Sequence, residues 1–205
     1  MNARHLELLV EEPSMEAFLR ALLPRVLPAG RTFEVHAFQG KDDLLAKLED
    51  RLRAYAEWLP ADWRVIVVVD RDDSDCRDLK RQLEDRAAAA GLRTRSPSGT
   101  RPRQLVNRIA IEELEAWYFG DWEAVRNAYP RVSPTIPSRS GYRWSDDIRG
   151  GTWEAFERIV RRCEYFRTGI RKAEAARAIG ALIDPRRSHS RSFAKFHEAI
   201  MEATA

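Results

Sequence analysis

Residues 64–69 read RVIVVV, and DRDDSDC follows directly at residues 70–76. A continuous run of β-branched residues is typical of a central strand that is covered on both faces. The run therefore predicts a buried strand over Arg64–Val69 that ends at a cluster of acids. Ligands of open α/β sheets gather outside the carboxyl ends of the strands, so these acids lie where a site is expected.

The sequence on either side of this strand alternates between strand-like and helix-like patterns. Strand-like runs lie at His5–Val10 and Phe33–Phe38, and Gln104–Ile111 is either a further strand or the start of a helix. The order of these elements predicts an α/β fold with a mostly parallel sheet and helices on both faces. The helix-like stretches share apolar residues at helical spacing, and they run from Pro13 to Pro24, Asp42–Trp58, Leu79–Ala90 and Glu112–Phe119.

The last third of the chain has a different pattern. Residues 130–152 are rich in Pro, Ser, Gly and Arg, which predicts a long loop. Three helix-like stretches follow, near Trp153–Glu164, Arg171–Ile183 and Ser192–Ala203. We therefore expect an α/β core over residues 1–125, and a loop with a C-terminal α-helical extension packing on that core over residues 126–205.

Composition limits the class of protein. The 205 residues, 44% of them hydrophobic, suffice for one domain with an extension. Cys76 and Cys163 are the only cysteines, too few for a disulfide framework or a zinc site. The N-terminus has no apolar signal core and no run approaches a membrane span, so we expect a cytoplasmic protein with no membrane partner.

Charge is divided unevenly along the chain. Residues 1–90 carry 14 basic and 18 acidic side chains, whereas residues 91–205 carry 21 and 14. An acidic front half and a basic back half suggest catalytic or metal-binding acids beside a surface for a polyanion. The excess of Arg is equally explained by a GC-rich genome, because the chain is also rich in Ala.

The acids follow the ends of two predicted strands. Glu11 and Glu12 come directly after the first strand, and Asp70 and Asp72 form a D-x-D pair after the most buried one. Two carboxylates at this spacing on an extended strand end project to the same side, and they repel unless a cation lies between them. Such oxygen ligands suit Mg²⁺ or Mn²⁺. The alternative is a solvated acidic turn that caps the helix beginning near Asp75 or Asp78.

Several segments together resemble a known fold. The stretches LLVEEPSMEAFL and VVVDRDD resemble the Toprim (Rossmann-like) fold, which topoisomerases, bacterial primases and overcoming-lysogenization-defect-type nucleases share. VEEPSMEAFL, VDRDDSDC, EELEAWYFGD, KAEAARAIG and SRSFAKFHEAI further resemble a family of small, uncharacterised bacterial Toprim-like proteins, often encoded beside ATPases in presumed phage-defence operons. The resemblance covers nearly the whole chain.

The resemblance implies a metal-dependent site. Glu11 matches the Toprim glutamate, although Glu12 stands where many relatives have Gly, and either of the two glutamates could act as a general base or acid. Asp70 and Asp72 match the D-x-D pair. Nuclease-type relatives use further acids, for which Asp73 and Glu113 are the expected ones, with Glu112 and Glu115 as alternatives to Glu113. An equally compatible interpretation is that Glu112, Glu113 and Glu115 are solvated residues at the start of a helix.

Basic residues near these segments are candidates to bind nucleic acid. The segment RTRSPSGTRPRQLVNR at 93–108 carries five Arg and no acid, and a second basic segment interleaves Arg residues with Tyr142 and Trp144. Phosphate contacts combined with aromatic platforms are typical of single-strand binding, although a basic loop in an Arg-rich protein is equally compatible. The expected nucleic-acid-binding residues are Arg71, Arg93, Arg95, Arg101, Arg103, Arg139 and Arg143.

The sequence thus favours a Mg²⁺- or Mn²⁺-dependent nuclease acting on RNA or DNA. A topoisomerase or a primase would need further domains, for which the chain has no room. The alternative is a catalytically inactive Toprim-like module that docks on a partner ATPase. A third hypothesis, phosphotransfer on a small molecule, is disfavoured because no nucleotide-binding glycine loop follows any strand.

Overall fold

Four strands form one parallel sheet. The computed structural model describes residues 3–94, 103–166 and 169–205. Within these ranges the strands are β1 (His5–Val10), β2 (Thr32–Ala37), β3 (Trp63–Asp70) and β4 (Leu105–Ala110). Their order in the sheet is β2-β1-β3-β4, and every neighbouring pair is parallel. The sequence allowed either a strand or a helix start at Gln104–Ile111, and the structure forms strand β4 there. This strand pairs with β3 so that Ala110 lies beside Asp70.

Helices connect the strands and make up most of the last third of the chain. Among the helices in the described ranges, none is both long enough and apolar enough to span a membrane. They are α1 (Pro13–Val26), α2 (Lys41–Trp58), α3 (Cys76–Ala89), α4 (Glu115–Gly120), α5 (Trp122–Ala128), α6 (Thr152–Arg162), α7 (Lys172–Gly180) and α8 (Arg191–Thr204), with a short 3₁₀ helix at Ile136–Ser138.

The sheet is covered on both faces, which confirms the predicted α/β class. Strand β3 alternates between two apolar clusters, because successive side chains of a strand point to opposite faces. Ile66 and Val68 pack in the cluster that contains α1, α4, α7 and α8. Val65, Val67 and Val69 pack in the cluster that contains α2 and α3. Residues 65–69 (VIVVV) are apolar throughout because each face of the strand meets helices.

Two helix starts differ by three residues from the sequence prediction, each for a local reason. Helix α3 begins at Cys76 rather than Leu79, because the Asp75 side chain caps it by accepting from the backbone N–H groups of Arg77 and Asp78. Helix α4 begins at Glu115 rather than Glu112, because Glu112 has a φ of 56° and cannot continue a helix. The predicted division between residues 125 and 126 stays a prediction.

Helix α7 packs tightly against α1. A Cβ built on Gly180 would lie 2.6 Å from the backbone oxygen of Phe18, closer than two such atoms can approach. Arg25 of α1 fastens the same junction by donating to the backbone oxygen of Ile183 at 2.9 Å. The C-terminal helices are thereby held against the first helix of the sheet.

We expect Gly180→Ala to destabilise the protein by about 1–3 kcal/mol, as overpacking does, although Ala is the better helix former. The obstructing atom belongs to the backbone of α1, so relief requires the two helices to separate. Urea unfolding followed by circular dichroism measures the change. Ala181→Ser at the neighbouring exposed position serves as the control and should change the free energy of unfolding by less than about 0.5 kcal/mol. Equal stability of Gly180→Ala and wild type would contradict this account of the contact.

Candidate active site

Acidic residues from three neighbouring strands meet at the carboxyl edge of the sheet. Strand β3 lies between β1 and β4, so the residues that follow these strands lie side by side. Glu11 follows β1, and its Oε2 accepts a hydrogen bond from the backbone N–H of Asp70 at 3.1 Å. The segment 112–115 follows β4 and leads into α4. Parallel pairing thus gathers acids that lie up to 100 residues apart in the sequence.

Asp70 is the most constrained of these acids. Its side chain is buried, and burial raises its pKa well above the ordinary value, with further contributions from the charges of Glu11, Glu115 and Glu12. Its Oδ1 is buried and has no hydrogen-bond partner among the described residues. An unsatisfied buried oxygen of this kind costs about 1–3 kcal/mol, and a role in binding an ion is one common explanation for such an oxygen.

Glu11 and Glu115 share this environment. Burial, the charge of Asp72 and the charge of Glu12 raise the pKa of Glu11 to about 7, against the opposing effect of the Asp70 N–H. Burial chiefly raises the pKa of Glu115 to about 8, and Lys172 opposes this shift. At neutral pH the cluster therefore holds protons as well as charge, because so many carboxylates cannot all ionise in a small buried volume.

Asp72 does not continue the extended strand. Its φ is 46°, and β3 ends at Asp70. Its Oδ2 instead lies 2.6 Å from the Nζ of Lys41, which also donates to the backbone oxygen of Arg71 at 3.0 Å. The expectation that Asp70 and Asp72 project to the same side of one extended strand end is therefore wrong in its premise, because the strand does not continue to Asp72. Asp72 nevertheless lies close enough for its charge to contribute to the raised pKa values of Asp70 and Glu11.

The three glutamates after β4 have different surroundings. Glu113 accepts two hydrogen bonds at the start of α6, from the Thr152 hydroxyl and the Trp153 N–H, each at 3.0 Å. Glu112 has a buried Oε2 without a partner among the described residues. Glu115 is buried, and its charge acts on Asp70. Glu115, named as an alternative from the sequence, is thus more closely coupled to Asp70 than Glu113 is.

Glu12 and Asp73 lie at the margin of the cluster. Glu12 precedes α1, and its side chain accepts a hydrogen bond from the hydroxyl of Ser14. Asp73 is exposed, and it lines a cavity of about 400 Å³ together with Arg71, Asp72 and residues 112–113 and 150–152. Both predicted acids therefore lie at the same edge of the sheet as Asp70.

Lys172 is a site residue to which the sequence had assigned no role. It is the first residue of α7, and its Nζ lies 4.0 Å from Oε2 of Glu12 and 4.3 Å from the ring centre of Trp153. Burial opposes its charge, but Glu12, Glu115 and the neighbouring acids outweigh that effect and raise its pKa. The only available signal was its place at the start of the segment KAEAARAIG.

The predicted basic residues are not gathered on one surface. Arg71 lies at the acidic edge, whereas Arg103 is paired with Glu202 and lines a different cavity, between α3 and β4. Arg139 donates to the hydroxyl of Thr135. The remaining residues divide as follows: Arg93 is exposed, Arg143 lines a third cavity, and Arg95 and Arg101 lie outside the described residues.

The acids have the ligand chemistry of a Mg²⁺ or Mn²⁺ site. The buried Oδ1 of Asp70 accepts no hydrogen bond from the described residues, so its lone pairs are available to a cation. Within residues 3–94, 103–166 and 169–205, however, no three His, Cys, Asp or Glu side chains are arranged to hold a metal ion. Three of the acids are engaged by protein groups instead: Glu11 by the Asp70 N–H, Asp72 by Lys41, and Glu113 by the start of α6. A cation would have to compete with these protein partners.

Comparisons with known proteins agree with the fold. The family described as "Domain of unknown function (DUF4276)" matches residues 10–201. Among solved structures, the chain is similar to the C-terminal region of the Burkholderia pseudomallei OLD protein, with 18% identity, a TM-score of 0.51 and full coverage of both chains. No curated protein matches the sequence. At this identity the structural similarity supports the α/β architecture alone.

We expect the metal-free protein to lose stability as pH rises from about 4.5 to about 8. Asp70, Glu11 and Glu115 have raised pKa values, so the folded protein holds protons that the unfolded chain has already released in this window. Below the pKa values that these three groups have in the unfolded chain, they do not destabilise the fold. Above the pKa values that they have in the folded protein, the full loss of stability is present, on the order of a few kcal/mol. Urea unfolding at pH 5 and pH 8.5 measures the difference.

Asp70→Asn removes one of the repelling charges, so it should stabilise the metal-free protein at pH 8.5 and reduce its pH dependence. Asp75→Asn is the matched control, because Asp75 caps α3 in solvent and Asn caps equally well. A pH dependence that is identical in wild type and Asp70→Asn would refute the electrostatic description of the cluster.

Proposed function

Because the chain belongs to the DUF4276 family, whose function is unknown, we propose a function from its own residues: a Toprim-type nuclease that hydrolyses phosphodiester bonds of RNA or DNA with Mg²⁺ or Mn²⁺. The observation that carries this proposal is the environment of the Asp70 carboxylate. Asp70 is a buried carboxylate at the carboxyl edge of a parallel sheet, with one unpartnered oxygen and acids around it. Such an arrangement is unfavourable by itself and becomes favourable when a cation is bound.

Two independent likenesses support the proposal. The segments LLVEEPSMEAFL and VVVDRDD resemble the Toprim fold, which overcoming-lysogenization-defect-type nucleases share. The whole chain is similar in fold to the C-terminal region of an OLD protein.

The metal ligands would be Glu11, Asp70 and Asp72, with Asp73 and either Glu113 or Glu115 as additions. A bound divalent cation supplies Lewis-acid polarisation of a phosphate oxygen and a bound water of lowered pKa. Glu115 is a stronger candidate ligand than the sequence indicated, because it is buried and its charge acts on Asp70. Exposed Asp73 suits a water-mediated or second-cation role.

The other groups at the edge would handle the proton and the phosphate charge. Glu11 or Glu12 would accept a proton from the attacking water. Lys172 and Arg71 would stabilise the negative charge that develops on the phosphate oxygens. The water oxygen would bond to phosphorus as the P–O bond to the leaving nucleotide breaks, and the departing oxygen would take up a proton from the protonated glutamate or from solvent.

The cellular role we propose is phage defence or a related system, in which the protein acts with an ATPase encoded nearby. The support for this setting is the resemblance to small Toprim-like proteins that are often encoded beside ATPases. Nucleic acid is the partner that the chemistry of the edge requires. A partner ATPase would control when the acids are rearranged to bind metal.

The second candidate function is a catalytically inactive docking module for such an ATPase. The observation that favours it is that Glu11, Asp72 and Glu113 are already engaged by protein groups, and that no metal-holding group of three exists among the described residues. In this case Lys41 and Lys172 would be permanent counterions that replace a metal.

The first test combines calorimetric titration of Mn²⁺ and Mg²⁺ with incubation of the same samples with total RNA, single-stranded DNA and duplex DNA. Asp70→Asn should weaken Mn²⁺ binding and reduce cleavage by at least about 100-fold, because it removes a metal ligand without changing volume. Asp72→Ala should also abolish cleavage with little loss of fold.

Asp75→Asn is again the matched control, because Asp75 belongs to the same acidic segment but only caps α3. It should retain wild-type metal binding and cleavage. Full turnover by Asp70→Asn would refute the proposed mechanism. Absence of both metal binding and cleavage in wild type would favour the docking module.

Lys172→Met distinguishes an effect on metal binding from an effect on the phosphate. A lysine beside the acids repels an incoming cation, so its removal should leave Mn²⁺ affinity unchanged or higher. Cleavage should nevertheless fall by at least about tenfold, because a charge that faces the phosphate is lost. Titration calorimetry and initial cleavage rates at saturating Mn²⁺ measure the two effects. A parallel loss of Mn²⁺ affinity would show that Lys172 instead holds the acids in place.

A further inference from the structure

We propose that the cavity around Trp144 binds an unpaired nucleotide of a single-stranded nucleic acid and thereby presents the strand to the acidic edge. The inference rests on the proposed nuclease function and names the form of its substrate. The cavity has a volume of about 660 Å³, and its lining includes Arg143, Trp144, Asp147, His189 and Arg191. It is formed where the long loop after α5 meets the start of α8.

Trp144 is placed as a platform rather than as a core residue. Its side chain is 69% exposed, whereas Trp117 and Trp122 are buried. Trp58 is also exposed, but its ring packs against Tyr55 and Trp63. Trp144 has no ring contact among the described residues, so its indole faces are available for a base to stack on.

Two arginines line the same cavity as this indole. The side chains of Arg143 and Arg191 take part in no hydrogen bond or ion pair among the residues that the structure describes. Arg187, by contrast, is engaged by both carboxylate oxygens of Asp121. A guanidinium that is not neutralised within the protein is suited to a phosphate oxygen, which it binds in bidentate geometry. A stacking ring between two such groups matches a base with its adjacent phosphates.

The loop that carries Trp144 is firmly anchored. One oxygen of Asp146 accepts from the Ser190 hydroxyl at 2.6 Å, and the other accepts from the Ser192 N–H at 3.0 Å. These bonds hold the Asp146 carboxylate at the start of α8, and among the described residues neither Asp146 nor Asp147 pairs with Arg143 or Arg191. Buried Ile148 fixes the other side of the loop. Binding therefore requires little ordering, which favours affinity.

The cavity lies near the acidic edge along the chain. Asp147 lines it, and three residues later Gly150 lines the cavity that contains Asp72 and Glu112. From Trp144 to Gly150 the chain advances six residues, which span at most about 22 Å. This distance corresponds to about six nucleotides at 3.4 Å per base along a strand. A strand held at Trp144 therefore reaches the acidic edge within about six nucleotides.

The substrate class follows from the stacking requirement. In a duplex the faces of each base are covered by its neighbours, so a base must be unstacked before it can lie on an indole. Single strands, loops and frayed ends offer such bases without that expense. We therefore expect Trp144 to increase affinity for single strands and to leave affinity for intact duplex nearly unchanged.

The test is fluorescence anisotropy with a labelled single strand of about 15 nucleotides and with the corresponding duplex, in EDTA so that no cleavage occurs. Trp144→Ala should raise the Kd for the single strand about 5- to 100-fold, the range of one base–aromatic stack. The Kd for duplex should change less than about twofold. Trp144→Phe keeps a stacking ring and should recover most of the affinity.

Trp58→Ala is the matched control, because it removes an exposed tryptophan elsewhere and should leave the single-strand Kd within about twofold of wild type. An unchanged Kd in Trp144→Ala, an equal loss for duplex, or no binding of single strands by wild type would each overturn the inference. Trp144-dependent binding without any cleavage would refute the nuclease and retain the subsite. Asp70-dependent cleavage with an unchanged single-strand Kd in Trp144→Ala would retain the nuclease and refute the subsite.

Discussion

The burial of the Asp70 carboxylate among other acids is the constraint on which the site depends. Strand β3 lies between two parallel neighbours, so its last residue cannot avoid the acids that follow β1 and β4. Mutual repulsion in a poorly solvated volume is relieved in two ways. Glu11 and Glu115 retain protons near neutral pH, and Lys172 supplies a positive charge. A divalent cation would replace the protons and relieve the same repulsion more completely.

Much of the fold could be predicted from local sequence because the decisive elements have local signals. The run RVIVVV is apolar on both of its faces, and the structure packs helices against both. The chain order of strands and helices then leaves few arrangements besides a parallel sheet. Once that sheet is assumed, Glu11 and Asp70 must lie at the same edge. The proximity of these two acids was therefore predictable without any structural information.

The remaining features of the site depend on contacts that have no local signal. The φ of 46° at Asp72 breaks the alternation assumed for D-x-D, and Asp tolerates this conformation without a distinctive neighbour. Lys172 reaches the acids only because α7 packs on α1, a contact between residues about 160 apart. The choice between Glu113 and Glu115 depends on which side chain caps α6. None of these pairings follows from spacing or composition.

The division of charge along the sequence has a structural explanation in these pairings. The front half supplies Glu11 and Asp70, and with them most of the acids at the carboxyl edge. The back half supplies Lys172 beside those acids, and Arg143 and Arg191 in the cavity next to them. Packing of the C-terminal helices onto the sheet thus brings one cation, Lys172, to the repelling acids, and it places Arg143 and Arg191 in a neighbouring cavity. A polyanion that carries its own metal ions would complement both surfaces at once, whereas an uncharged ligand would complement neither.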